Sequence, residues 1–274
     1  MKNILLAVLC LSSFASLSQK NAKEIKYEKI YYKDTKFETT DLLFSFVDAV
    51  STDGEIKFKI RITNKSGDFI MYKPEESKFI IEGKETNPSE KWVVVEPYGS
   101  ASRVINLKGP NYNKVKNYSF ALEGLYRIPN NSKGIAVPDF RLPASQNQFT
   151  AGNFSCTMAK LNKETDKTSV KFKCTYTGDQ IGIIYPSRIA VRMPDGKDYA
   201  TIHGNAKAIL LYKGEDDAFV AEWNRMEGGA AMDMQKVEMM IKWNETFTEN
   251  SIQKINGTTV ELAFDEPLSN DKGR

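Results

Sequence analysis

The sequence predicts an all-β chain folded as two tandem β-sandwich modules, and three observations carry that prediction. Apolar and polar residues alternate over most of the chain, which is the period of a half-buried strand. Between Ile56 and Thr63, for example, Ile56, Phe58, Ile60 and Ile62 take one face, while Lys57, Lys59, Arg61 and Thr63 take the other. Turn residues break these runs at short intervals, as the Asp53-Gly54 pair does immediately before that strand, and such pairs are a strong hairpin signal. Finally, the second half of the chain answers the first. IKFKIRIT from Ile56 matches VKFKCTYT from Val170, FSF from Phe44 matches FSC from Phe154, and VVVEPYGSASRVINL from Val93 matches ILLYKGEDDAFVAEW from Ile209. Matches kept in the same order define the folding unit, here a module of about 110 residues, and a chain of 274 residues has room for two.

The elements follow in chain order. Residues 1–18 hold a lysine, an apolar run from Ile4 to Leu9, and small residues Ser16 and Ser18 before Gln19, the pattern of a cleavable secretory leader. The run is far shorter than the ~20 apolar residues that span a bilayer, and none comparable follows, so no transmembrane segment is expected. Lipidation at Cys10 would require a small residue where bulky Leu9 stands. Residues 19–40 read as an N-terminal arm or a first strand. The first sandwich is expected over 41–143 and the second over 144–266, with a tail at 267–274. Between them the Pro- and Asn-rich stretch from Pro129 to Gln148 has linker composition. In the first module Phe44, Phe46 and Val50 are expected on the core face of one strand. FIMY, KFIIEG, KWVVVE, SRVINL and YSFALEGLYRI follow as strands, answered in the second by IGIIY, RIAVRM, KAILLY, AFVAEW and KVEMMIKW. Six or seven short strands per module is the pattern of an immunoglobulin-like sandwich.

Removing the leader leaves Cys156 and Cys174 as the cysteines of a chain bound for an oxidising compartment. A hairpin centred on Thr165 sets Phe154 opposite Tyr176, Cys156 opposite Cys174 and Met158 opposite Phe172, with the apolar members on one face. That register places the two cysteines about 4.5 to 5.5 Å apart between Cα atoms, within bridging range. A disulfide worth about 3 kcal/mol is expected; the alternative is two packed free thiols.

The organisation resembles the tandem immunoglobulin-like proteins exported by Bacteroidetes-type bacteria, including DUF4352-like sandwiches. The likeness is carried by SLSQ at residues 16–19, KFKIRITNKSGDFIMY from Lys57 and EPYGSASRVINL from Glu96. It implies an exported sandwich protein, and such sandwiches host adhesion, glycan binding and scaffolding alike.

No catalytic residue is expected. The one histidine, His203, lies beside Gly204 and Asn205 in a turn, and Ser100 lacks the spacing of a nucleophile elbow. With both cysteines bridged, no zinc site can be assembled, and no metal or other cofactor is expected. Glu215, Asp216, Asp217, Asp195 and Asp198 read as solvated turn acids without the ligand spacing of a calcium loop. The net charge of +3 comes from a surface of mixed sign, so nucleic acid is not an expected partner.

Trp223 and Trp243 share faces with apolar residues and read as core. Trp92 opens its strand, while Tyr98 and Tyr112 sit in or near loops, which makes all three candidate binding residues. The loop from Asn106 to Asn117 matches the one from Asn224 to Gln235, basic in one copy and methionine-rich in the other, so Met226 and Met232 join the candidates. The function expected is non-catalytic binding or structure, through contacts of loops or strand edges with an envelope or extracellular protein. The alternative is a carbohydrate-binding module of the cell envelope that takes polysaccharide on Trp92.

Overall fold

The computed structural model describes residues 26–225 and 233–274. The first module holds β1 (Ile30–Tyr31), β2 (Thr35–Glu38), β3 (Leu42–Ser51), β4 (Glu55–Asn64), β5 (Phe69–Tyr72) and β6 (Lys78–Ile81). It continues with β7 (Lys84–Thr86), β8 (Val93–Val95), β9 (Ser100–Lys108), β10 (Asn117–Leu122) and β11 (Leu125–Ile128). The second begins with β12 (Phe140–Leu142), β13 (Gln148–Ala151), β14 (Phe154–Lys163), β15 (Lys167–Tyr176), β16 (Ile181–Ile184) and β17 (Ala190–Arg192). It ends with β18 (Asp198–Ala200), β19 (Ile209–Leu211), β20 (Asp216–Asn224), β21 (Met239–Lys242) and β22 (Phe247–Asn250). Two more strands, β23 (Gln253–Ile255) and β24 (Thr258–Ala263), precede helix α1 (Glu266–Lys272).

All the paired strands run antiparallel, and the two halves repeat the same orders. The order β3-β4-β9 is matched by β14-β15-β20, β10-β6-β7 by β21-β17-β18, and β11-β5-β8 by β22-β16-β19. Alternation explains the cores. The even-numbered residues of β4 are buried with Phe44, Phe46, Phe79 and Phe120; the rings of Phe46, Phe58 and Phe79 meet Phe120 edge-on, and Phe44 stacks on Phe37. The second core gathers Phe149, Phe172, Phe247, Trp223 and Trp243, so both tryptophans are core as expected.

In the second hairpin, Phe154 faces Tyr176, Cys156 faces Cys174 and Met158 faces Phe172, and the cysteines form a disulfide with their Cα atoms 4.1 Å apart. A bulge after Met158 shifts the pairing by one residue toward the turn. The first module has its bulge at the matching place, between Val47 and Val50, where Asp48 takes a φ of 57°. That extra residue corrects the expectation for Val50: it turns outward, and Ala49 and Ser51 take the core face.

The run YSFALEGLYRI is two strands rather than one. Gly124 takes a φ of 72°, and a Cβ there would lie 2.2 Å from the Lys73 carbonyl oxygen. Glycine alone accepts this bend, which carries the chain from the sheet of β10 to the sheet of β11. Residues 30–31 and 35–38, in the segment expected to be an arm or a first strand, pair with β3.

The expected module limits are corrected by two crossings of the chain. After β11 the chain passes to the second module: the Ile135 N–H donates to the Phe247 carbonyl (2.8 Å), and β12 pairs with β21. After β22 it passes back: β23 pairs with β11, and β24 pairs with β10 over six residues. Phe140 and Leu142 are buried in the second core, Val260 and Leu262 in the first. Each copy's last segment therefore completes the other copy. The expected tail is α1, capped by the Asp265 side chain accepting from the Leu268 N–H at 3.1 Å. It docks on the N-terminal segment, where the Gly273 carbonyl accepts from the N–H groups of Glu28 and Lys29.

The copies meet through the same sheet. β5 and β16 are buried on both faces, which is why FIMY and IGII read as unbroken apolar runs. Phe69, Met71 and Ile128 pack with Ile181, Ile183 and Tyr185 in one apolar cluster, so matching surfaces touch as in an isologous dimer.

Candidate functional site

Open strand edges are what the fold leaves available for contact, at Ser102 and Val104 on β9 and at Val220, 38% exposed, on β20. Asn64 donates its N–H to the Gly99 carbonyl (2.9 Å) across the β4–β9 pair, and Gly109 donates to Gly54 (3.1 Å). This phase turns the odd-numbered backbone groups of β9 toward β4 and the even-numbered ones outward. Asn106 is covered, because its N–H donates to the Glu90 carboxylate at 2.9 Å. The backbone N–H and C=O of Ser102 and Val104 have no hydrogen-bond partner among the described residues. Val104 is also 48% exposed.

Tyr98 stands at the start of this edge and is 76% exposed. Its backbone has a φ of 56°, unusual for a bulky residue, and its N–H is held by the Ser66 carbonyl at 3.1 Å. Gly214, with a φ of 85°, occupies the matching place in the second module. The ring of Tyr98 leans on Gly67.

In the second module the corresponding edge is β20. The Tyr176 N–H donates to the Glu215 carbonyl, so here too the even-numbered backbone groups face outward. Glu222 is covered by Thr201 Oγ1, which accepts its N–H at 3.1 Å, and by the Ile202 N–H, which donates to its carbonyl at 2.9 Å. Asp216 pairs with Lys173 at 2.9 Å and Glu222 with Lys167 at 3.7 Å, across β20 and β15. In the first module, Ser100 and Asn106 stand where those acids stand. Lys57 pairs with Glu55 of its own strand, while Lys59 and Arg61 are exposed with no carboxylate within ion-pair distance among the described residues.

The other candidate residues are scattered. Trp92 does not form an exposed platform: it is half-buried at the module junction, edge-on to Tyr212 with ring centroids 5.4 Å apart. Its counterpart is the much smaller Ala208 in the same cluster, so the indole fills space between the copies. Tyr112 is half-buried against the first core, and burial raises its phenol pKa. Met226 and Met232 lie outside the described residues. Near the junction, Lys73 sits over the rings of Tyr126 and Tyr212 at 5.2 and 5.0 Å. The Tyr126 hydroxyl donates to Glu76, which pushes its pKa up to about 12.

The turn acids have structural partners. Arg192 grips both oxygens of Asp198 at 2.7 and 2.8 Å, holding that carboxyl below its usual range. Asp195 is likewise lowered by accepting from the Lys197 N–H and the Tyr199 hydroxyl. Glu215 accepts from the Tyr212 N–H at 2.9 Å. His203 is exposed in its turn. Among the described residues, no three His, Cys, Asp or Glu side chains are grouped to hold a metal ion, and no helix is long and apolar enough to cross a membrane.

No family model matches the sequence, and no curated protein matches it. Among solved structures, a crystal structure of red sea bream transglutaminase is similar over 82% of this chain, at 8% identity and a TM-score of 0.19. The chain spans 31% of that structure's length, and likeness at this level carries no argument about function. The class defined by fold and surface is an all-β protein of two interlocked sandwich modules with an open strand edge.

Proposed function

We propose that this is a secreted or periplasmic, non-catalytic binding or structural protein that acts through protein–protein contact, with the edge of β9 as its docking element. The observation that carries this reading is the pair of unsatisfied backbone positions, Ser102 and Val104, on a strand held rigidly by β4 and flanked by exposed Tyr98. Unpaired edges are templates for another strand, and strand addition supplies affinity through main-chain hydrogen bonds. The export reading is supported by the apolar leader and by the Cys156–Cys174 disulfide, since such bonds persist in oxidising compartments. The half-burial of Trp92 removes the residue on which the polysaccharide alternative relied.

The test is photo-crosslinking in the native host. A photoreactive residue at Ser102 of the full chain is expected to capture one envelope or extracellular protein, and Val104→Pro is expected to abolish the capture. Capture that persists unchanged in the Val104→Pro protein would rule out the β9 edge as the docking element.

A further inference from the structure

The two edges differ in charge, and that difference specifies the partner's chemistry. On β15, Lys173 is matched by Asp216 and Lys167 by Glu222 of the adjacent β20, and Lys171, opposite Val220, is the one cation without a carboxylate among the described residues. On β4, Lys59 lies opposite Val104 and Arg61 opposite Ser102 on β9. These neighbours are short and uncharged, so they neither neutralise the cations nor cover them. Lys59 and Arg61 share the solvent face of the sheet with Val104 and Ser102, because the intervening residues Phe58, Ile60 and Ile62 of β4 and Ile105 of β9 point into the core.

We propose that the segment docking on β9 is an extended strand bearing Asp or Glu at alternate positions; this rests on the strand-edge reading above. A strand added to β9 lies about 4.8 Å from it, and so roughly 10 Å from β4. Long Lys and Arg side chains reach across short neighbours over that span, which is also close to the screening length at physiological salt. Carboxylates on the solvent face of the added strand then meet Lys59 and Arg61, as Asp216 and Glu222 of β20 meet Lys173 and Lys167 in the second module. Glu90 ends the open stretch at Asn106 and places a carboxylate there. The complementary acidic positions are therefore those facing Ser102 and Val104. A second copy's β20 is a poor occupant, because its acids are engaged by its own lysines and Glu222 is covered.

The test uses the full mature chain and short fluorescein-labelled peptides of alternating valine with glutamate, threonine or lysine, read by fluorescence anisotropy. The glutamate peptide is expected to bind about tenfold tighter than the threonine peptide, with the lysine peptide weakest and the preference fading as salt rises. The double variant Lys59→Glu/Arg61→Glu is expected to reverse the order. Val104→Pro is expected to abolish binding at little cost in folding, because the N–H it removes faces outward. Its thermal melt serves as the folding control, and Ser102→Pro is the second block should that variant misfold. Equal binding of the glutamate and threonine peptides, lost in Val104→Pro, would overturn the acidic partner and leave the edge standing. Failure of all three peptides to bind, or binding untouched by both proline variants, would overturn the edge as well.

Discussion

In the second module, β20 carries Asp216 and Glu222, which pair with Lys173 and Lys167 of the strand beside it and leave Lys171 as its one bare cation among the described residues; in the first, β9 carries Ser100 and Asn106 at the matching places and leaves both Lys59 and Arg61 bare. The frames around the two edges are the same: one long hairpin with a bulge in its first strand, and one outward N–H covered from the preceding loop, by Glu90 in one copy and Thr201 in the other. The copies also differ in how they are closed. Both take a strand from the other copy, β24 on β10 and β12 on β21, but a disulfide staples the hairpin of the second, whereas the first is also braced by α1 from the far end of the chain. A shared frame with unequal edges is the reason the proposed docking element is placed on β9, where two neighbouring cations are left bare.

The largest break in this comparison comes from removing residues 253–274. That deletion exposes the first core where Val260 and Leu262 are buried. The truncated chain is expected to lose the near-ultraviolet circular dichroism and dispersed NMR signals of the first module; a native first module would show that the returning segment is dispensable. Replacing both Cys156 and Cys174 with alanine is expected to cost about 3 kcal/mol in urea titration, a penalty with no counterpart in the first module.

Much of this was legible in the sequence, because strand alternation and duplication are local or repetitive signals. The cysteine register was readable because one face of a half-buried hairpin must be apolar throughout. Val50 was misread because a bulge inserts one residue without a glycine to mark it: Asp48 itself takes the left-handed conformation. The module limits were misread because TTVELA at 258–263 alternates like any edge strand, and nothing local says which sheet it joins. Trp92 looked exposed because the junction it fills is formed by residues far away in the chain. The contrast between the edges was within reach, since aligning Ser100 to Leu107 with Asp216 to Trp223 sets neutral side chains against acids.

Two smaller effects sharpen the comparison. Trp92→Ala is expected to lower stability by about 2 kcal/mol through lost apolar burial, since only the first copy fills the junction with an indole. The same variant should leave any binding at β9 intact; loss of binding without loss of stability would return Trp92 to the list of contact residues. Tyr98→Gly gives the first module the residue that the second carries as Gly214. Relief of the left-handed backbone is expected to raise stability by up to about 1 kcal/mol, and a loss of stability instead would mean that the exposed ring packs usefully.

The central structural claim is that the two copies, each completed by the other's last segment, form one cooperative body. Its most direct test is a urea titration followed by the methyl NMR signals of Ile60 in the first core and Ile241 in the second. Reciprocal completion predicts that both signals disappear at a single midpoint, as a two-state unit requires. Loss of the Ile60 signal while Ile241 keeps its native shift, or the reverse, would show two independent domains and contradict the account.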